Sequence, residues 1–178
     1  MKRNAIVFGL IAGAIVSIFM IIGMAICNGD PNYNISMIIG YAAMILAFSF
    51  VFVGVKSFRD KYNNGVLSFG KALQLGLLIA LIASSMYVIT WVIDYYLFIP
   101  DFMEKYAQHM VNNIKASGAS QVEIDKKIAE MAGYKEMYKN PLYVVLFTYF
   151  EILPIGILAA LLSALILKRK PKDPIAAI

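Results

Sequence analysis

The residue best placed for chemistry is a lone carboxylate, Glu151, inside the almost uncharged stretch 142–167, with Pro154 three residues further on. An ionisable group in an apolar helix is a functional candidate, because leaving it unpaired in a bilayer is costly. The proline adds polarity, since its missing N–H leaves the carbonyl of Phe150 without a helical donor. Three polar side chains fall at a similar depth in other predicted helices, where they are available to hydrogen-bond an inward-facing carboxyl: Tyr41, Tyr87 and Thr90.

This candidate intramembrane polar site has two interpretations. In the first, the Glu151 carboxyl exchanges a proton or a cation beside a bent helix. In the second, the carboxyl is a structural clamp that hydrogen-bonds neighbouring helices. The sequence offers no buried basic partner that would favour the first interpretation, and both stay open.

The remaining chemistry-bearing residues predict no enzyme. The sequence contains no glycine-rich phosphate loop, no Gly-x-Ser-x-Gly motif and no nucleophile with a histidine placed beside it. His109 is the only histidine and has no second ligand at a metal-binding spacing, so no metal site is predicted. Cys27 is the only cysteine, which excludes an intrachain disulfide. We expect no metal, no cofactor and no nucleic-acid partner.

Four apolar runs must position these residues. The chain is 61% hydrophobic and 15% charged, and about 20 apolar residues in a helix cross a hydrocarbon core of ~30 Å. The sequence therefore predicts an all-α, polytopic membrane protein with one membrane domain over residues 1–178. The predicted transmembrane helices are 5–26, 35–55, 72–93 and 142–167.

The basic residues predict the orientation of these helices. Lys2 and Arg3 precede the first run, and further Lys and Arg residues lie in the connection 56–71 and in the tail 168–172, whereas the connection 27–34 has none. The positive-inside rule assigns both termini and residues 56–71 to the cytoplasm. The alternative, a signal peptide at the N-terminus, is disfavoured because the first run is longer than the usual apolar region of such peptides.

Two runs carry the same ladder of small residues. The segments AIVFGLIAGAIVS and ALQLGLLIALIAS match at five positions with an offset of 67 residues. Stripes of Gly, Ala and Ser let helices approach closely in a bilayer, so we expect the first and third helices to pack. A duplication of a two-helix unit would explain the match, and chance similarity between apolar segments is the alternative. The helix-packing residues are Ala5, Gly9, Gly13, Ser17, Ala72, Gly76, Ala80 and Ser84.

The connection 101–140 has a different, polar composition. Asp101 and Glu104 indicate a helix start and Gly118 its end, while Ser120 and Glu123 form a capping-box pattern for a second helix. Apolar residues line one side of each helix, which predicts an amphipathic helical hairpin outside the membrane between the third and fourth spans. It could cap the bundle, lie among lipid headgroups or bind a partner. The apolar positions are Phe102, Tyr106, Met110 and Ile114, then Ile124, Ile128, Met131 and Tyr138.

Three segments resemble a known family. The stretch GVLSFGKALQLGLLIALIAS (65–84), the segment IPDFMEKY (99–106) and the closing ALILKRK (164–170) are similar to domain-of-unknown-function family 4199, bacterial membrane proteins common in Bacteroidota. The chain departs from the family pattern at Ile99, where Asp is frequent. The resemblance implies a four-helix inner-membrane protein and supplies no established activity.

Two functional hypotheses follow from different classes. The first is a non-enzymatic membrane module for assembly or partner binding, either as a homo-oligomer or with a membrane or periplasmic protein through the 101–140 hairpin. The second is a small transporter or channel-like subunit with a proton- or cation-coupled carboxylate at Glu151. The first fits the small-residue ladders, and the second depends on one acid within the spans.

Overall fold

The described part of the chain is helical almost throughout. A computed structural model describes residues 1–27 and 33–170, so most of the predicted connection 27–34 and the tail beyond residue 170 lie outside the described residues. Within these ranges the chain forms no strand, only a two-residue bridge between Leu67 and Arg169. The helices are α1 (Lys2–Cys27), α2 (Tyr33–Tyr62), α3 (Phe69–Leu97), α4 (Phe102–Ala116), α5 (Gln121–Tyr138) and α6 (Pro141–Leu167).

Four of these helices are long and apolar enough to cross a membrane, which confirms the number of spans predicted from the sequence. The qualifying segments are Lys2–Ala25, Ile38–Tyr62, Phe69–Leu97 and Pro141–Leu167. The largest boundary difference is at the end of α2, which continues past residue 55 through Lys56 to Tyr62. Polar residues there do not end the helix, because Lys and Arg are good helix formers and lie in its last turns.

The described residues divide into two compact units. The first contains Met1–Val88 and Tyr149–Ile178, and the second contains Ile89–Thr148. Helices α3 and α6 each contribute one part to each unit. The first unit therefore holds α1, α2 and most of α3 and α6, and the second holds α4, α5 and the adjoining helix ends.

In the first unit, α1 approaches α3 at two glycines. A Cβ atom added at Gly9 would lie 2.7 Å from the Cβ atom of Ile82, and one added at Gly13 would lie 2.7 Å from the sulfur of Met86. Both separations are well below van der Waals contact, so only glycine permits this approach. The first small-residue ladder thus lies against α3.

Helices α3 and α6 pack in an antiparallel register set by small residues on both sides. A Cβ atom at Gly76 would lie 2.9 Å from the Cβ atom of Ala160, and one at Gly156 would lie 2.9 Å from the Cβ atom of Ala80. Each glycine therefore faces an alanine of the other helix, one turn apart. Fully buried Leu75 and Ile79 of α3 also lie in this core.

The basic segments of the first unit lie at one end. Arg3 donates a hydrogen bond of 2.8 Å to the Tyr62 hydroxyl, which ties the N-terminus to the end of α2. Leu67 and Arg169 exchange backbone hydrogen bonds of 3.0 and 2.8 Å, which tie the α2–α3 connection to the end of α6. Both termini of the described chain and residues 56–71 are thus on the same side of the bundle, as the charge distribution predicts.

The second unit contains the shorter helices α4 and α5, which pack against each other. Glu123 and Ser120 form the predicted capping box, in which the Glu123 carboxylate accepts the backbone N–H of Ser120 at 2.8 Å. Lys135 of α5 forms an ion pair with Glu104 of α4. Gly118, with φ of 76°, ends α4 in the left-handed conformation that glycine adopts without strain.

The apolar side of α4 differs slightly from the predicted one. Met103 and Ala107 are the buried residues of α4, whereas the predicted Phe102 and Tyr106 are half-buried. Phe102 instead joins a network of aromatic rings, since its ring lies 4.9 Å from that of Trp91 in an edge-to-face arrangement. The full network comprises Trp91, Tyr95, Tyr96, Phe102, Tyr106, Tyr134, Tyr138, Tyr143 and Phe147.

We predict that Gly76→Leu lowers the free energy of unfolding by roughly 1–3 kcal/mol or more, because its side chain must displace the backbone of α6 at Ala160. Gly23→Leu is the matched control, since a Cβ atom there meets nothing within 4 Å. Thermal unfolding of the purified protein in detergent measures both variants. Equal melting temperatures for the two would contradict the close approach of α3 and α6.

We also predict that acid weakens the start of α5. The hydrogen bonds from Ser120 to Glu123 lower the pKa of that carboxyl below its ordinary value. The stabilisation is therefore complete above the ordinary pKa of glutamate and is lost as the pH falls through the lower pKa of folded Glu123. The hydrogen-exchange protection factors of amides in the first turn of α5, which correct for the intrinsic effect of pH, should fall over this range. Glu123→Gln keeps a capping acceptor without a titratable group, so its exchange protection should not show this step.

Candidate intramembrane polar site

Helix α6 places the Glu151 side chain on the outer surface of the described bundle. The residue is exposed, and its neighbour Phe150 is 75% exposed. Ile152, the next residue, is fully buried, so the boundary between the outward and inward faces of α6 runs beside Glu151. No residue that the structure describes donates a hydrogen bond to this carboxyl or forms an ion pair with it. The expected inward-facing carboxyl is therefore not what the structure shows.

The register of α3 and α6 explains the position of this carboxyl. Gly156 faces Ala80, and continuing this antiparallel register by five residues puts Glu151 level with Ser85. Counting residues from the ends of the spans instead puts Glu151 level with the stretch that begins at Tyr87. The two depth estimates for Glu151 differ because α6 begins at Pro141 and is longer than a bilayer requires. Its first turns therefore extend beyond the hydrocarbon core.

The three polar partners expected for Glu151 lie in different environments. Tyr41 of α2 is 45% exposed, and Tyr87 of α3 is only 7% exposed and belongs to the core of the first unit. Thr90 is half-buried and belongs to the second unit. Tyr87 and Thr90 each have an interaction of their own. The structure thus does not assemble these residues around Glu151.

An unpaired carboxyl on this surface has an energetic cost. A charged carboxylate near the centre of a transmembrane helix costs roughly 2.5–3.5 kcal/mol on insertion scales, and less toward the interface. Pro154 is exposed on the same helix, and it deprives the Phe150 carbonyl of its helical N–H donor. The outward face of α6 therefore presents a carboxyl group and an under-bonded carbonyl on adjacent residues.

A hydrogen bond between α3 and α6 is formed by residues that the sequence analysis did not select. The hydroxyls of Ser85 in α3 and Tyr149 in α6 are 2.8 Å apart. Ser85 donates its own proton to the Leu81 carbonyl at 2.8 Å, so Tyr149 is the donor of the interhelical bond. The polar clamp expected at Glu151 is therefore supplied by Ser85 and Tyr149. Their proximity depends on the register of the two helices, which one helix sequence does not display.

Two other hydroxyls inside the spans donate hydrogen bonds within their own helix. Thr148 donates to the Val144 carbonyl at 2.7 Å, and Ser163 donates to the Ala159 carbonyl at 2.6 Å. This is how isolated polar side chains are tolerated in apolar helices. The oxygen of Ser84 is buried and has no hydrogen-bond partner among the described residues, and the same is true of one carboxylate oxygen of Asp94.

All eight residues of the two small-residue ladders are buried. Gly9 and Gly13 lie against α3, and Gly76 and Ala80 lie against α6. Helix α3 therefore uses two different faces, one for each neighbour. The sequence comparison missed Gly54 of α2, where a Cβ atom would lie 2.7 Å from the Ile79 side chain.

The described residues contain no group of three or more His, Cys, Asp or Glu side chains that could hold a metal ion. His109 lies in α4, and one of its ring nitrogens is 2.8 Å from the Asn113 amide nitrogen. This contact between residues one turn apart holds the imidazole on the surface of its own helix. Its chemistry is that of a solvated side chain with a local hydrogen bond.

We predict that Tyr149→Phe lowers the free energy of unfolding by about 0.6 kcal/mol, the average for an interhelical hydrogen bond in a membrane protein. The loss is small because Ser85 keeps its bond to the Leu81 carbonyl. A double-mutant cycle with Ser85→Ala, read by unfolding in detergent, isolates the coupling energy. Tyr143→Phe is the control, since the Tyr143 ring stacks on Phe147 with a centroid distance of 6.0 Å and the substitution preserves that contact. Strictly additive losses would contradict the assigned hydrogen bond.

Comparison with known proteins identified a match to one protein family. No curated protein and no solved structure matches this chain. Residues 7–169 match the family described as protein of unknown function, DUF4199. That range includes the four apolar helices almost completely, together with α4 and α5. The chain, a helical protein with four segments capable of spanning a membrane, therefore belongs to this family of unknown function.

Proposed function

We propose that this protein is a non-enzymatic module of a bacterial inner membrane that assembles with a membrane or periplasmic protein. In this proposal both termini are cytoplasmic, and α4 and α5 form an extracytoplasmic hairpin that carries the contact surface. The supporting observation is that α5 keeps large apolar side chains exposed although it lies outside the membrane-spanning segments. These residues are Val122, Ile128, Tyr134 and Met137.

The location of the hairpin follows from chain connectivity and charge. The N-terminus, the α2–α3 connection and the end of α6 share one end of the first unit through the Arg3–Tyr62 and Leu67–Arg169 contacts. Excess Lys and Arg at the ends of spans favours the cytoplasm. Helices α4 and α5 connect the opposite ends of α3 and α6, so the same rule supports a periplasmic location for them.

The exposed residues of α5 resemble a protein contact surface in their chemistry. Val122 is 78% exposed, which is unfavourable for a β-branched apolar side chain in water unless another surface covers it. Tyr134 and Met137 belong to residue types enriched at interfaces. A groove of about 380 Å³ lies between α4 and α5, and its apolar lining includes the exposed Ile128 together with Val111 and Met131.

This surface also has a defined shape. The Lys135–Glu104 ion pair joins α4 to α5, and the capping box at Ser120 fixes the first turn of α5. Contacts between Tyr138 of α5 and Tyr95, at 5.6 Å between ring centroids, hold the other end of that helix within the second unit. A surface that is ordered before binding pays less conformational entropy when a partner docks.

The transporter hypothesis has less support. A coupling carboxylate is expected to face a bundle interior or a water-filled cavity, and Glu151 is exposed on the outer surface of α6. The proton-flux test remains decisive. If proteoliposomes of the purified protein conduct protons and Glu151→Gln abolishes the flux, the transporter hypothesis replaces the assembly proposal.

The assembly proposal predicts site-specific crosslinking in cells. A photo-reactive phenylalanine analogue at Val122 or Met137 should give a discrete protein adduct. The same analogue at Leu81, an exposed apolar residue of membrane-spanning α3, should give no discrete protein adduct. Val122→Glu should reduce the adduct formed from Met137, because a charge opposes burial of the surface. Absence of a protein adduct from both α5 positions would refute the proposed contact surface.

A further inference from the structure

The outward face of α6 carries two adjacent groups whose hydrogen bonding is incomplete. The Glu151 carboxyl is exposed and has no hydrogen-bond partner among the described residues. The Phe150 carbonyl lacks its helical donor, because Pro154 has no N–H. Both residues lie within the segment Pro141–Leu167, which is apolar enough to span a membrane. A protonated carboxyl is a donor, and a carbonyl is an acceptor, so this face presents one of each.

Hydrocarbon does not satisfy either group, and neither does an ion pair with this protein. The basic residues of the four membrane-spanning helices all lie in the first turn or the last two turns, and they are Lys2, Arg3, Lys56, Arg59, Lys61 and Lys71. Glu151 lies well inside α6, level with Ser85 of α3. A second copy inserted in the same orientation therefore brings no cation to the depth of Glu151. The second copy does place a Glu151 carboxyl donor and a Phe150 carbonyl acceptor at that depth.

We propose that this face of α6 binds the same face of a second copy, forming a two-fold symmetric dimer. The neutral Glu151 carboxyl of one copy donates to the Phe150 carbonyl of the other, and the symmetry repeats the bond in the opposite direction. Such an isologous contact is self-complementary, because a residue and its acceptor exchange places under the two-fold axis. Two interhelical hydrogen bonds replace two unpaired polar groups in hydrocarbon, which favours the dimer.

The surroundings of the two groups fit a helix–helix contact. The small residues of α6, Gly156 and Ala160, are already used against α3, so the outward face consists of large side chains. These form a continuous exposed stripe at spacings of three or four residues, which is the pattern of a helix surface that packs on another helix. The stripe contains Leu146, Phe150, Pro154, Leu158, Leu162 and Leu165. In the dimer, the apolar side chains provide the buried contact area, and the two hydrogen bonds fix the register of one α6 against the other.

This dimer contact is separate from the proposed α4–α5 surface, and either can exist without the other. Disulfide crosslinking in membranes tests it, with Cys27→Ser removing the only native cysteine. Leu158→Cys reports on the dimer, because Leu158 lies on the same exposed stripe and is 60% exposed. Ile45→Cys on α2 is the matched control, as a similarly exposed apolar residue of another membrane-spanning helix.

Oxidation should link Leu158→Cys copies into dimers while Ile45→Cys copies stay monomeric. Adding Glu151→Leu should weaken the dimer roughly tenfold through loss of two interhelical hydrogen bonds. Adding Glu151→Gln should preserve most of it, because the amide is also a donor. Since Glu151 has no partner among the described residues of its own chain, neither change should alter the melting temperature at concentrations where the protein is monomeric.

Photobleaching steps of single labelled molecules in liposomes give a second measurement on the purified protein alone. Two-step bleaching in the native protein and one-step bleaching in Glu151→Leu support the proposal. Equal crosslinking at Leu158→Cys and Ile45→Cys overturns it, as does a dimer that Glu151→Leu leaves unchanged. An adduct of Leu158→Cys with a different protein and none with itself also overturns it, even if the crosslinks from α5 succeed.

Discussion

The first unit depends on how closely the backbone of α3 approaches its neighbours. Cβ atoms added at Gly9, Gly76 or Gly156 would lie within 2.9 Å of another helix, so these contacts exist only because the side chains are absent. In a bilayer the lipid tails compete equally for apolar side chains, and close van der Waals packing is what distinguishes a neighbouring helix from lipid. The Ser85–Tyr149 hydrogen bond joins α3 to α6, so it requires the same close approach of these two helices.

Three hydroxyl groups within the spans form hydrogen bonds inside their own helix. Ser85, Thr148 and Ser163 each donate to a carbonyl of their own helix, so they impose no demand on the surroundings. Glu151 has no such local solution, because a glutamate side chain in α6 reaches outward past its own backbone. An exposed carboxyl that its own chain does not satisfy is available to a second copy in the membrane.

The second unit is held together by contacts of a different kind from those of the first unit. Helices α4 and α5 contain many charges, and their buried residues are limited to Met103, Ala107 and Met131, while α6 adds fully buried Val144 to this unit. Aromatic rings provide the remaining contacts, with edge-to-face pairs such as Trp91–Phe102 contributing more than their buried area alone. Such a unit is ordered without a large aliphatic core. This is what allows it to keep other apolar side chains on its surface.

Much of the architecture follows from the sequence without coordinates. Helix number and span length come from local composition, since about 20 apolar residues in sequence are enough to cross a bilayer. The capping box at Ser120 and the helix end at Gly118 depend on residues within one turn of each other, so they too are readable locally. The buried ladders were visible because small residues repeated at helical spacing inside one segment.

What the sequence alone did not determine is the rotation and register of one helix against another. Whether Glu151 faces inward or outward depends on which stripe of α6 packs on α3, and Gly156 and Ala160 set that stripe. The same register places Tyr149 beside Ser85, residues separated by 64 positions in the chain. Local composition indicates the depth of a residue in the membrane. Which side chains lie next to it depends on packing between helices that are distant in sequence. The arrangement of the polar site is therefore determined by tertiary structure, whereas the spans that contain it are determined by local sequence.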